Sequence, residues 1–108
     1  DRIREQVENH AIVIYMKGTP QLPSCGFSAR AAQAMMETGV EFAYVNVLAD
    51  PEIMQELPNF ADWPTFPQIY MNGELFGGGD IIMELFEEDE LKDVMQEAFD
   101  KGPKKQPE

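Results

Sequence analysis

Six consecutive residues, Ala11-Ile12-Val13-Ile14-Tyr15-Met16, are apolar or aromatic with no polar interruption. A run of that length predicts a strand covered on both faces, because a strand wet on one side would alternate. Ahead of it, Ile3 and Val7 recur one helical turn apart in a polar stretch, which predicts a short amphipathic helix over 2–9. Residues 17–24 carry Lys17, Gly18, Pro20 and Pro23 and read as a loop. An Ala- and Met-rich helix follows from about Cys25 to Thr38 and stops at Gly39, a good residue to end a helix. Phe42-Ala43-Tyr44-Val45-Asn46-Val47 is a second strand. Asp50-Pro51-Glu52 supplies an N-cap, a proline at the first helical position and an acid in the first turn. That helix is expected to end near Pro58. Gln68–Met71 and Glu74–Phe76 flank Asn72-Gly73, the signature of a type I′ hairpin. After Gly77-Gly78-Gly79, Asp80 is expected to cap a helix running to about Glu87, and a last helix covers about Asp89–Phe99.

The order α-β-α-β-α-β-β-α-α joins the first two strands through a helix, so they must be parallel, and closes on a hairpin. The expectation is an α/β domain: a four-stranded mixed sheet with helices on both faces. Residues 1–102 form this one domain and 103–108 a flexible tail. The loop at 17–24 leaves the C-terminal end of the first strand, where α/β sheets usually hold ligands.

Composition narrows the partners. The 108 residues carry 8 basic and 20 acidic side chains, a net charge of −12. Nucleic acid and anionic membrane surfaces are therefore poor partners for the bulk surface. Nine carboxylates fall between Asp80 and Asp100 against Lys92 alone, and a solvated helical face explains them better than an acidic docking patch. No apolar run reaches the length of a membrane span, and no signal-peptide pattern precedes the first strand. A single cysteine excludes an internal disulfide framework, which makes a reducing, cytoplasmic setting the natural expectation.

That cysteine, Cys25, lies in Leu22-Pro23-Ser24-Cys25-Gly26-Phe27-Ser28, at the junction of loop and helix. A lone cysteine is more often a small buried apolar residue than a reactive group. Here Pro23, Ser24 and Gly26 are turn and cap residues, which suit an exposed bend. A thiol at the first turn of a helix faces unpaired N–H groups that favour the thiolate. Three residues on, where a dithiol oxidoreductase carries its second cysteine, stands Ser28. Cys25 must therefore act with a thiol or a metal from outside the chain.

Three other features accompany it. In Trp63-Pro64-Thr65-Phe66-Pro67-Gln68, Pro67 opens a strand, where proline is tolerated. A cis bond after Phe66 would expose backbone to a peptide-like ligand, although X–Pro bonds are cis in only about 5–6% of cases. The glycines before Asp80 admit a ligand close to the backbone, but a tight turn explains them nearly as well. Lys17 could lower the Cys25 pKa or bind a carboxylate, yet an isolated lysine is usually a solubilising charge. Together, Met16-Lys17-Gly18, Leu22 to Ser28, Trp63 to Gln68 and Gly-Gly-x-Asp ending at Asp80 resemble a monothiol glutaredoxin of the Cys-Gly-Phe-Ser class, on the thioredoxin-like fold, over residues 2–100.

The resemblance implies that Pro67 is the cis-proline and that glutathione lies along the backbone at Thr65 and Phe66. The γ-glutamyl end would meet Gly78, Gly79 and Asp80. Lys17 would face the glycyl carboxylate and the cysteine, Phe27 would flank the site, and Gln68 would add a contact. Two positions depart from the family pattern: Gly79 stands where cysteine is common, and Met54 where a basic residue often helps hold the glycyl carboxylate. Weaker, or more Lys17-dependent, glutathione binding is expected.

Three functions follow as alternatives. The first is an iron–sulfur carrier, in which Cys25 of two chains and two glutathione thiols supply the four ligands of a [2Fe–2S] cluster. The resemblance implies that homodimer, delivery to apo iron–sulfur proteins, and pairing with a BolA-like protein. The second is a glutathione-dependent monothiol reduction of mixed disulfides. The third is an interaction domain that ignores the thiol, against which the intact motifs argue. His10, the only histidine, precedes the first strand and reads as a surface residue.

Overall fold

The structure, a computed structural model, describes residues 2–62 and 65–103. Trp63, Pro64 and the tail at 104–108 lie outside the described residues. The apolar run becomes β1 (Ile12–Met16), buried along its whole length. β1 pairs in parallel with β2 (Ala43–Asn46), in the register Val13 to Ala43 and Met16 to Asn46. On its other side it pairs antiparallel with β3 (Gln68–Met71), which forms a hairpin with β4 (Glu74–Gly77). The sheet order is β2-β1-β3-β4, the mixed four-stranded arrangement expected. At the hairpin, Asn72 and Gly73 take φ of 53° and 86°, the double positive φ that a type I′ turn requires.

Both faces of β1 are covered because its side chains alternate between two cores. Ile12, Ile14 and Met16 join Ala31, Ala32 and Met35 of α2 (Gly26–Glu37), Ile82 of α4 (Gly79–Glu87) and Leu91 and Met95 of α5 (Leu91–Lys101). Val13 and Tyr15 face Ile3 and Val7 of α1 (Arg2–Asn9) and Ile53 and Leu57 of α3 (Pro51–Ala61). Edge-to-face packing of Tyr15 on Tyr70, centroids 5.5 Å apart, crosses from β1 to β3 within this second core. No helix among the described residues is long and apolar enough to cross a membrane.

The last three helices differ from the sequence expectation at their boundaries; α5 runs Leu91–Lys101 rather than from Asp89 to Phe99, because Asp89 turns at φ 62°. α3 passes through Pro58 and continues to Ala61, where Asp62 at φ 54° ends it. Pro58 costs the hydrogen bond to the carbonyl four residues back. The extra turn places Phe60 and Ala61 against the second core, with Phe60 tilted on Tyr70 and Arg4 over the Phe60 ring. That packing offsets the lost bond. α4 is capped by Gly78, and Asp80 falls in its first turn. The chain enters the helix earlier than expected because the glycines themselves make the bend, which still leaves the Asp80 carboxylate at the positive end of the helix.

Candidate functional site

The loop leaving β1 is held by its own backbone. Ser24 N–H donates to the Lys17 carbonyl at 3.0 Å, Thr19 and Leu22 exchange hydrogen bonds, and Gly18 and Pro23 form an isolated bridge. Gly18 has φ +91°, and a Cβ there would stand 2.6 Å from the Leu22 carbonyl oxygen and from the Ser24 nitrogen. The loop delivers Cys25 to the N-cap of α2 in extended geometry, φ −149° and ψ 133°, with its carbonyl accepting from Ala29 N–H at 2.8 Å. Cys25 is partly exposed, so the buried, inert alternative fails.

Ser28, at the position of a resolving cysteine, is fully buried, and its Oγ accepts from Lys17 N–H at 3.3 Å. It has become a tie between β1 and α2. The Cys25 thiol is pulled below its ordinary pKa chiefly by the Ser28 N–H, then by the Phe27 N–H, the Lys17 charge and the Ser28 hydroxyl; partial burial opposes them. The neutral thiol makes no cap hydrogen bond, so these donors act by stabilising the charge that forms on ionisation.

An open groove of about 910 Å³ runs from this thiol across the sheet end. Its walls include Lys17, Cys25, Phe27, Thr65, Phe66, Pro67, Gly78, Gly79 and Asp80, so all the residues expected at the site except Gln68 are brought together. The Phe66–Pro67 bond is cis and Pro67 is buried, while Phe27 is 71% exposed at the rim. Gln68 is not among the lining residues: it is buried, and its Oε1 accepts from the Tyr70 hydroxyl at 2.9 Å. Gly77, the first of the glycine run, lines the groove as well, and so do Phe76 and Ile81, which were not anticipated. Their signal was indirect, since the hairpin end and the first turn of the last-but-one helix had to flank the glycine run. His10 lies ahead of β1, at the other end of the strand from the Lys17 loop, and is partly exposed.

Among the described residues that line the groove, Lys17 is the one cation and Asp80 the one carboxylate. They make a polarised cleft with apolar walls, which suits an extended peptide-like ligand bearing opposite charges at its ends.

A sequence model of the family described as Glutaredoxin matches residues 12–76, more than half of the chain. The chain belongs to the glutaredoxin family. With Cys25 alone in Cys-Gly-Phe-Ser, it is a monothiol glutaredoxin, like the relatives it resembles. It is 50% identical over 101 residues to Glutaredoxin 4 of Haemophilus ducreyi, covering 94% of both chains. To "Probable monothiol glutaredoxin GrlA" of Legionella pneumophila it is 58% identical over 86 residues, 80% of this chain and 97% of the other. The solution structure of reduced poplar apo GrxS14 superposes with a TM-score of 0.73 at 38% identity, over 90% of this chain and 89% of that one. The thioredoxin-like fold of glutaredoxins is thus the fold of this chain.

Within this glutaredoxin, both departures from the family pattern face the groove. Met54 lines it from α3 and brings an uncharged thioether to its wall. At Gly79 a Cβ would sit 3.5 Å from Pro67 Cγ and 3.7 Å from the Phe27 carbonyl oxygen, ordinary contact distances. Sterics do not demand glycine there.

The thiol environment has a measurable consequence. Alkylation of Cys25 by iodoacetamide should reach half its plateau rate at a lower pH than in the denatured chain. Because the folded pKa is depressed, the thiolate contributes stability above the unfolded value, and that contribution is lost as pH falls through the folded one. Lys17→Ala should move the midpoint upward, and an unchanged midpoint would remove Lys17 from the causes.

Proposed function

We propose that this glutaredoxin binds glutathione in the groove and carries a [2Fe–2S] cluster shared between two copies. The observation behind this reading is the convergence of one thiolate-favouring cysteine with a polarised, peptide-sized groove. The glycyl carboxylate would face Lys17, the peptide backbone would run past Thr65 and Phe66, and the γ-glutamyl end would meet Gly78, Gly79 and Asp80. A cluster needs four ligands, commonly thiolates. One chain has a single cysteine, and no group of three or more His, Cys, Asp or Glu among the described residues could hold a metal. Two Cys25 thiolates and two bound glutathione thiols make the set, and partial exposure of Cys25 leaves room for a second copy. The cluster is cargo, handed on to apo iron–sulfur proteins, and a BolA-like protein could replace one copy by offering a histidine. A reducing cytoplasm suits this thiol.

The depressed Cys25 pKa also favours a second reading, exchange with glutathione mixed disulfides. The thiolate attacks the glutathionyl sulfur, the protein thiolate leaves, and a free glutathione then releases Cys25 with formation of glutathione disulfide.

Anaerobic reconstitution with iron, sulfide and glutathione separates the two. Visible absorption and a dimer mass that both vanish without glutathione support the carrier. A colourless monomer that still turns over a mixed disulfide supports the enzyme. Met54→Lys should tighten glutathione binding by about tenfold, as one added charge-assisted hydrogen bond warrants, measured by calorimetry. No tightening would mean that the glycyl carboxylate lies elsewhere.

A further inference from the structure

The cation of the groove is only as well placed as the backbone that bears it, and that backbone is tied on every side. Lys17 N–H donates to Ser28 Oγ at 3.3 Å, and its carbonyl accepts from Ser24 N–H at 3.0 Å. The next N–H, of buried Gly18, donates to Asn46 Oδ1 at 2.9 Å. The same Asn46 oxygen accepts from Leu48 N–H at 3.0 Å, at the start of the short 3₁₀ turn Val47–Ala49 that leads into α3. Asn46 is the last residue of β2 and pairs with Met16, so the parallel register itself brings its side chain to the first residues of the loop. It does not line the groove.

We propose that Asn46 is a positioning residue: one side-chain oxygen, shared by Gly18 and Leu48, fixes the root of Lys17 and thereby where its ammonium meets the ligand carboxylate. The physical reason is specific to this bend. At φ +91°, Gly18 has left the strand geometry, and Asn46 Oδ1 is the acceptor its N–H has found. A buried N–H without an acceptor is costly, so removing Oδ1 makes the loop shift until water or another group replaces it. Any such shift moves Lys17, the neighbouring residue. Asn46 also caps the 3₁₀ turn, so a fall in melting temperature alone would not distinguish positioning from plain stability.

The inference rests on the glutathione reading, and its test is built to fail separately. S-methylglutathione and its glycine-amide analogue are titrated calorimetrically into the full chain, Asn46→Ala, Lys17→Ala and the double variant. Asn46→Ala should weaken S-methylglutathione by about fivefold to tenfold. It should change amide binding by less than about twofold and add little in the Lys17→Ala background. Equal losses for both ligands, or additive losses in the double variant, would overturn the role of Asn46 while leaving the groove reading intact. A full chain that binds neither ligand defeats the groove reading, and the inference with it. Should Asn46→Ala not fold, amide hydrogen exchange at Gly18 in the unaltered chain decides. Strong protection is expected, and exchange at the rate of an open loop overturns the tie.

Discussion

Cys25→Ser should abolish cluster binding and mixed-disulfide exchange completely while leaving the fold intact. Serine keeps the size of the side chain, but its hydroxyl does not ionise in the accessible pH range and is a poor ligand for iron. The chain has no second cysteine to take over, and Ser28, three residues on, is already buried in its bond to Lys17 N–H. The stability change should stay within about 0.5 kcal/mol, because Cys25 is partly exposed and makes no cap hydrogen bond. Circular dichroism melting, cluster absorption and glutathionylation by mass spectrometry check the three parts. Residual colour at wild-type intensity would show that iron is held without this thiol.

Gly18→Ala should be the most damaging single-methyl change near the site. An L-residue at φ +91° is strained by about 1–2 kcal/mol. Its Cβ would also lie 2.6 Å from the Leu22 carbonyl oxygen and the Ser24 nitrogen, and 2.8 Å from Pro23 Cα. All three are backbone atoms, so no side-chain rotation relieves the clash and the loop must move. A total cost of about 3–5 kcal/mol is expected, lowering the melting temperature by upward of about 15 °C. Lys17 and Cys25 lie on either side of the displaced segment, so ligand affinity should fall with stability. A variant as stable as the parent would mean that the loop is not packed as described.

The contrast between what the sequence revealed and what it concealed follows from the range of the interactions. β1 was legible because burial on both faces leaves an unbroken apolar run, and Asn72-Gly73 because few residue pairs adopt two positive φ values. Asp50 was legible as a cap, and its Oδ1 does accept from Ile53 N–H. The passage of α3 through Pro58 was not, because the gain that offsets the proline lies in Phe60 reaching Tyr70 on another element. Gly78 rather than Asp80 caps α4, since the bend is made by backbone that carries no side-chain signal. The site motifs named nearly the whole groove, whereas Phe76, Ile81 and Asn46 depend on which strand lies beside which. Tertiary pairing of that kind leaves no local trace.

The most direct measurement is native mass spectrometry of the anaerobically reconstituted protein. A complex of two chains, one [2Fe–2S] cluster and two glutathione molecules is the predicted species, and Cys25→Ser should yield bare monomer. A cluster bound to a single chain, or a dimer that holds its cluster without glutathione, would contradict the shared-ligand account.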